Sequence, residues 1–248
     1  MLTGKKAVVT GAAGGIGRAI MKKFAENNIC CIYALVRTID DSLLNYITDS
    51  EQKNNIEIIP VIVDLCDDRS IKDAVKTISG HTKNIDILIN NAGMVSQSSS
   101  FHMTSVDKMR DVFQVNFFGP TLLTQYVSRI MMKNNKGSIV NISSVAAIDG
   151  RPGQYEYVCS KAAIIGAVKE LSIELGRYNI RVNGIAPGVT DTKMAGRIED
   201  NLKEDVIQNT IMKRIADPME IADVVLFMAS DLSGYITGQI LRVDGGVI

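Results

Sequence analysis

The stretch Lys5-Lys6-Ala7-Val8-Val9-Thr10-Gly11-Ala12-Ala13-Gly14-Gly15-Ile16-Gly17-Arg18 decides the fold. A short apolar run ends in threonine, glycines follow at 11, 14, 15 and 17, and a helix-period segment begins near residue 15. Glycines let a backbone turn tightly and approach a pyrophosphate, and a helix N-terminus favours anionic oxygens. Gly11, Gly15, Ile16 and Gly17 are therefore the candidate phosphate cradle. Their spacing is not the GxGxxG fingerprint; the place of the turn, between strand and helix, carries the nucleotide reading.

The same rhythm continues to the end of the chain. Lys5–Thr10, Ile29–Val36, Ile56–Val63, Ile85–Asn90, Ser138–Ser143, Ile180–Ala186 and Gln239–Val243 read as strands. Most are apolar on both faces, as strands are when helices cover both sides of a parallel sheet. Helices are predicted near 15–27, 40–52, 68–81, 104–133, 154–178 and 217–230. This order predicts an α/β fold: one doubly wound Rossmann domain over residues 1–248, with a seven-stranded parallel sheet. The segment 189–214 is long for a connection between strand and helix, so it reads as a functional insertion, a lid over the substrate.

Composition narrows the partners. The 248 residues balance 27 Lys plus Arg against 27 Asp plus Glu, so nothing steers the chain toward nucleic acid or an anionic membrane. No segment reaches the roughly 20 apolar residues of a membrane span, and the N-terminus runs straight into a strand. Cys30, Cys31, Cys66 and Cys159 show no metal-ligand spacing, and adjacent Cys30 and Cys31 suit buried strand thiols. The chain reads as cytoplasmic, reduced and free of a structural metal.

A second constellation lies in Gln154-Tyr155-Glu156-Tyr157-Val158-Cys159-Ser160-Lys161. A phenol is a weak acid, with an ordinary pKa of about 10, and a cation beside it favours the phenolate. On a helix, Tyr157 and Lys161 share a face one turn apart, and Ser144 lies thirteen residues upstream of the tyrosine. Such a group can give a proton to a substrate oxygen or take one from it. Tyr155 is a rival phenol, but its position four residues on is Cys159. Cys159 reads as a small buried residue, and His81 and His102 as surface residues outside every motif.

The end of the second strand bears on which nucleotide binds. Ala34-Leu35-Val36-Arg37 carries an arginine where NAD-binding folds place an acid, and Asp40 and Asp41 come later. Arg37 suits a 2′-phosphate, so NADP(H) is favoured, with NAD(H) not excluded. Asp64-Leu65 is a candidate adenine contact; Asp64 and Asp67 are also rival caps for the following helix.

Taken together these residues resemble the short-chain dehydrogenase/reductase family over essentially the whole chain. TGxxxGxG appears as Thr10–Gly17, NNAG as Asn90-Asn91-Ala92-Gly93, and the loop asparagine as Asn116. The serine matches Ser144, YxxxK matches Tyr157–Lys161, and Pro187-Gly188 and Tyr235-Ile-Thr-Gly238 complete the order. Within the family the general likeness is to β-ketoacyl-acyl-carrier-protein reductases, through Arg181–Gly188 and Pro218–Ala222. Sugar, polyol and steroid dehydrogenases share these features.

The resemblance implies an NADPH-dependent ketone reductase acting on a small-molecule or carrier-bound substrate, and a homotetramer. It implies Tyr157 as general acid, Lys161 lowering the tyrosine's pKa and bonding the nicotinamide ribose, and Ser144 donating to the substrate oxygen. Asn116 would break the fourth helix and hold a water relay to Lys161. Asn91, Ala92, Gly93, Pro187, Gly188, Thr190 and Thr192 are the implied cofactor contacts, and Gln154 with Ser144 and Tyr157 the implied substrate contacts. Substrate selection would lie with Ser96–Ser100, Ile148–Gln154 and 189–214. Lys133, Lys136 and Arg177 are the candidate carrier-protein contacts. Apolar pairs such as Val112-Phe113, Leu122-Leu123 and Ile164-Ile165 are the candidate assembly surface.

Overall fold

The computed structural model describes residues 1–192, 204 and 207–247. The chain forms one seven-stranded, all-parallel sheet in the order β3-β2-β1-β4-β5-β6-β7. The strands are β1 Lys6–Thr10, β2 Cys31–Val36, β3 Glu57–Ile62, β4 Ile87–Asn90, β5 Gly137–Ile142, β6 Ile180–Pro187 and β7 Ile240–Val243. The helices that lie wholly within the described residues are α1 Gly15–Glu26, α2 Asp41–Asn54, α3 Asp68–His81, α4 Val106–Phe113, α5 Gly119–Asn134, α6 Ala146–Asp149, α7 Tyr155–Gly176 and α8 Pro218–Ala229. None of the described helices is long and apolar enough to cross a membrane.

Burial on both faces explains why β2 has no polar alternation. Ile32, Ala34 and Val36 enter a core with α1, α2 and α8, through residues such as Phe24, Leu43 and Val225. Cys31, Tyr33 and Leu35 enter the opposite core with α3, α5 and α7, through Ile71, Leu123 and Val168. Cys30, just before the strand, is exposed rather than a buried strand thiol.

Local chemistry fixes where the helices start. Asp40 caps α2 by accepting from the Leu43 amide at 2.8 Å, and Asp67 caps α3 through Arg69. Asp217 and Glu220 form a capping box at α8. Helix α1 differs: Gly14 stands at its cap with no side-chain bond, and its first turn carries no acid. Its N–H groups and dipole face outward, a place for an anion.

The long helix expected over 104–133 is interrupted. Gln114–Phe118 forms a π-turn between α4 and α5, in which the Gly119 amide bonds the Gln114 carbonyl. The extra residue in that turn is what the helical periodicity does not show. Short α6 was not foreseen. Half of the expected lid at 189–214, namely 193–203, 205 and 206, falls outside the described residues. Its described ends are tied to the body, with Asp191 N–H on the Ala216 carbonyl at 2.9 Å and Ile211 N–H on the Gly246 carbonyl at 2.8 Å.

Candidate active site

The sheet order reverses between β1 and β4, and ligands bind open α/β sheets in the crevice at the carboxyl ends beside such a switch point. Thr10 organises it. Its hydroxyl accepts from the Asn91 and Ala92 amides, each at 2.9 Å, and donates to the Ile89 carbonyl at 3.3 Å. The Asn91 side chain returns to the Thr10 and Gly11 carbonyls at 3.0 and 3.2 Å. The NNAG loop and the glycine turn are thereby one unit.

That unit has no room for side chains. A Cβ on Gly17 would stand 2.1 Å from the Gly11 carbonyl oxygen, and one on Gly11, whose φ is +63°, 2.9 Å from Ala92 Cα. A Cβ on Gly15 would stand 2.7 Å from Thr192 Cγ2, so the segment after β6 closes over the turn. With the uncapped α1 terminus behind it, this cradle fits a dinucleotide pyrophosphate.

Around the cradle, Arg37 is exposed just beyond β2. The nearby acid Asp40 is engaged as the α2 cap, so the strand end presents a cation. Asp64 is exposed and accepts from Cys66 N–H at 2.9 Å in its own turn, while Leu65 is buried. Pro187 ends β6, and Gly188 is held by the Val243 carbonyl at 2.9 Å. Thr190 is buried, its hydroxyl on the Gly188 carbonyl at 3.2 Å.

The catalytic candidates converge at the same edge. Helix α7 puts Tyr157 and Lys161 on one face, with the lysine Nζ 6.0 Å from the phenol ring centre. Lys161 is buried, and its Nζ donates to the Ile142 carbonyl at 2.8 Å, while Ser143 Oγ donates to the Lys161 carbonyl at 2.8 Å. The end of β5 therefore fixes this turn of α7 beside Ser144. Asn116, buried in the π-turn, grips the backbone of residue 94: Oδ1 accepts from Met94 N–H at 2.8 Å and Nδ2 donates to the Met94 carbonyl at 2.9 Å. Nδ2 also donates to Ser160 Oγ at 2.9 Å. A Cβ on Gly93 would lie 3.1 Å from Lys161 Nζ and 3.4 Å from Asn116 Oδ1, so these two side chains flank Gly93.

Electrostatics departs from the simple expectation. Burial raises the Tyr157 phenol above its ordinary value, and the Ser144 hydroxyl and the Arg151 charge offset it only in part. Lys161 is not among the groups lowering it. The ammonium is itself disfavoured, since burial brings Lys161 down to about 8. Tyr157 is thus held in its protonated form, the form a general acid needs.

The rim joins two of the expected substrate segments. Ser99 N–H donates to the Gly153 carbonyl at 2.9 Å and Ser98 Oγ to the same oxygen at 3.2 Å. Gln154 is half-buried at the α7 N-terminus, its side chain making no cap. Tyr155 is exposed and packs on Phe101 with ring centres 4.7 Å apart. A cavity of about 760 Å³ adjoins the site, lined by Val145, Ala146, Arg151, Gly188, Met212 and Gly245 among others. No group of three metal-ligating side chains occurs among the described residues.

The basic residues expected to meet a carrier protein stand at the opposite ends of the strands from Tyr157 within one protomer. Lys133 and Lys136 precede β5, and Arg177 precedes β6, so all three stand where strands begin. Along α7, Tyr157 and Arg177 are separated by about 30 Å at 1.5 Å per residue. Two organising residues were missed from sequence. Thr10 was seen only as part of a glycine motif. Glu156 had a legible signal: with Ser160, Ile164 and Val168 it forms an i, i+4 row, all of it buried.

Comparison with known proteins agrees with this geometry. The family described as Enoyl-(Acyl carrier protein) reductase matches residues 11–248. The chain is 36% identical over 247 residues to the 3-oxoacyl-[acyl-carrier-protein] reductase FabG of Thermotoga maritima, covering 100% of this chain and 99% of the relative. It is 35% identical over 247 residues to a 3alpha-hydroxysteroid dehydrogenase of Mediterraneibacter gnavus, covering 99% and 97%. A 3-oxoacyl-[acyl-carrier protein] reductase structure from Brucella melitensis superposes with a TM-score of 0.88 at 31% identity, covering 99% of this chain and 91% of that one. Fold, glycine cradle and the Ser144, Tyr157 and Lys161 cluster lead to one conclusion: the chain belongs to the short-chain dehydrogenase/reductase family, and is an oxidoreductase that uses a nicotinamide cofactor.

Proposed function

We propose that the chain is an NADPH-dependent 3-oxoacyl-acyl-carrier-protein reductase of fatty-acid synthesis. The observation that carries the reaction type is a protonated, half-buried Tyr157 beside Ser144 and Lys161, at the edge that holds the glycine cradle. The acyl substrate is supported by the full-length likeness to relatives of that name. The choice of NADPH rests on Arg37, exposed at the β2 end with its neighbouring acid engaged in a cap.

The reduced nicotinamide, when bound, supplies the hydride. Gly11–Gly17 and the α1 N-terminus would hold its pyrophosphate, and Arg37 would pair with a 2′-phosphate. Tyr157 gives its hydroxyl proton to the ketone oxygen as charge develops there. The Ser144 hydroxyl donates to that same oxygen and fixes its position. Lys161 carries a proton poised near pH 8 beneath Gly93, so it can restore the one Tyr157 gives up. Asn116 holds residue 94, and with it the loop that shapes the pocket.

A second reading, oxidation of a cyclic secondary alcohol, is favoured by the likeness to a hydroxysteroid dehydrogenase and by the exposed Phe101 and Tyr155 rings at the rim. Turnover separates the two. Acetoacetyl thioester with NADPH, against a panel of steroids, sugars and polyols with NADP⁺ and NAD⁺, is followed by absorbance of the reduced cofactor. A kcat/KM at least tenfold higher for the thioester supports the reductase, and the reverse ratio refutes it. Assembly as a homotetramer belongs to the same proposal. One member of each apolar pair is core (Val112, Leu123, Ile164), while Phe113, Leu122 and Ile165 remain partly exposed.

A further inference from the structure

Glu156 precedes the catalytic tyrosine, and its side chain is 1% exposed. An acid so deeply buried is rare unless it is paired. Its Oε1 accepts from the Ser96 hydroxyl and stands 3.4 Å from Lys108 Nζ. Lys108 also donates to the Gln97 carbonyl at 2.7 Å. Oε2 has no hydrogen-bond partner among the described residues. Burial pushes the carboxyl up, but the Ser96 bond, its own backbone N–H and the Lys108 ammonium together outweigh it and hold it below the ordinary carboxylate range. It is therefore ionised at neutral pH.

The groups it reaches, Ser96 and Lys108 directly and Gln97 through Lys108, share one feature. Ser96 and Gln97 belong to the 96–100 loop, which leaves the NNAG turn beyond Met94, where Asn116 grips the backbone. Lys108 lies on α4, which leads into the π-turn carrying Asn116. The carboxylate thus ties the loop, α4 and the first turn of α7 together, one residue from the proton donor.

We propose that Glu156 is a positioning residue: with Lys108 it locks the Ser96–Ser100 loop against the tyrosine-bearing helix and so sets the wall on which the ketone substrate rests. It acts through Ser96 and Lys108 and touches no reacting atom. This inference rests on the reductase reading for its kinetic readout only.

The test is a cycle of Glu156→Gln, Glu156→Ala, Lys108→Met and the Lys108→Met/Glu156→Gln pair. Glu156→Ala is expected to raise KM for acetoacetyl thioester roughly tenfold or more, with a smaller loss in kcat. Glu156→Gln keeps an oxygen for Ser96 and should recover part of that loss. Lys108→Met leaves a buried unbalanced carboxylate, so it should be more harmful than the double variant, in which no charge remains. Affinity for NADPH should be unchanged in all four. Hydrogen exchange at 96–100 should quicken in Glu156→Ala and Lys108→Met, a readout independent of substrate. Wild-type KM and wild-type exchange in Glu156→Gln and Lys108→Met, or purely additive effects in the double variant, would overturn the proposal. If wild type does not turn over the thioester, the reductase reading fails, and exchange alone decides the role of Glu156. Should Glu156→Ala not fold, Lys108→Met and the double variant still decide.

Discussion

Thr10→Val removes a single oxygen from the centre of the cofactor site while keeping the side chain's shape. The residue is 1% exposed, and its hydroxyl accepts two backbone N–H groups, of Asn91 and Ala92. Valine can accept neither, so two part-buried donors lose their partner. At about 1–2 kcal/mol for each unsatisfied donor, the expected loss is about 3 kcal/mol, a large share of a typical stability of about 5–15 kcal/mol. Thr10→Ser keeps the oxygen and loses one methyl, worth about 1 kcal/mol. Urea unfolding followed by circular dichroism should rank wild type above serine above valine, at equal m-values. The same bonds hold the NNAG loop against the glycine turn, so NADPH titration should show Thr10→Val weakened about tenfold, with Thr10→Ser near wild type. A valine variant within about 0.5 kcal/mol of wild type and with undiminished cofactor affinity would refute the reasoning.

Tyr157→Phe should lower kcat by about 10²- to 10⁴-fold with cofactor affinity nearly intact, measured by steady-state kinetics and NADPH fluorescence. Arg37→Ala should weaken NADPH about tenfold or more and leave NADH unchanged, and equal losses would make the arginine structural. Lys161 sits near 8 in the fold against an ordinary 10.5, so between those values the unfolded chain binds a proton that the folded chain does not. Its contribution to stability therefore rises with pH across that window. Lys161→Met should be inactive yet more resistant to urea at pH 7, by about 1–3 kcal/mol, with the advantage shrinking as pH approaches 10.

Much of this molecule was legible because its signals are local and repeated. Strands buried on both faces, such as β2, have no alternation to misread; the glycine turn and the NNAG loop each sit at a strand end, and YxxxK lies in the first two turns of α7. The π-turn was legible only as an asparagine expected to disturb a helix, because one inserted residue leaves the apolar period of 104–133 almost unchanged. What sequence did not show is long-range satisfaction of polar groups. Thr10 reaches Asn91 and Glu156 reaches Ser96 across separations that no spacing rule covers. The phenol's pKa failed for a related reason. Proximity of Lys161 was read correctly from i, i+4 spacing, but burial, which decides the sign, is a property of the assembled core. The carrier-protein candidates Lys133, Lys136 and Arg177 lie where β5 and β6 begin, a placement that helix number alone does not show.

The stitch between Thr10 and Asn91 also bears on how the chain folds. It spans 81 residues, and closing a loop of that length costs about 4 kcal/mol of entropy beyond a constant. Strand β1 pairs first in sequence with β2, so until β4 has been made one edge of β1 stands open. A chain emerging N-terminus first thus carries an unpaired, apolar strand edge through some eighty residues of synthesis, the kind of edge that recruits other strands. Cofactor binding cannot relieve it, because the cradle is complete only when Asn91 has docked on Thr10. The nucleotide site is in this sense a late product of folding, and a fragment ending before β4 would leave one edge of apolar β1 unpaired.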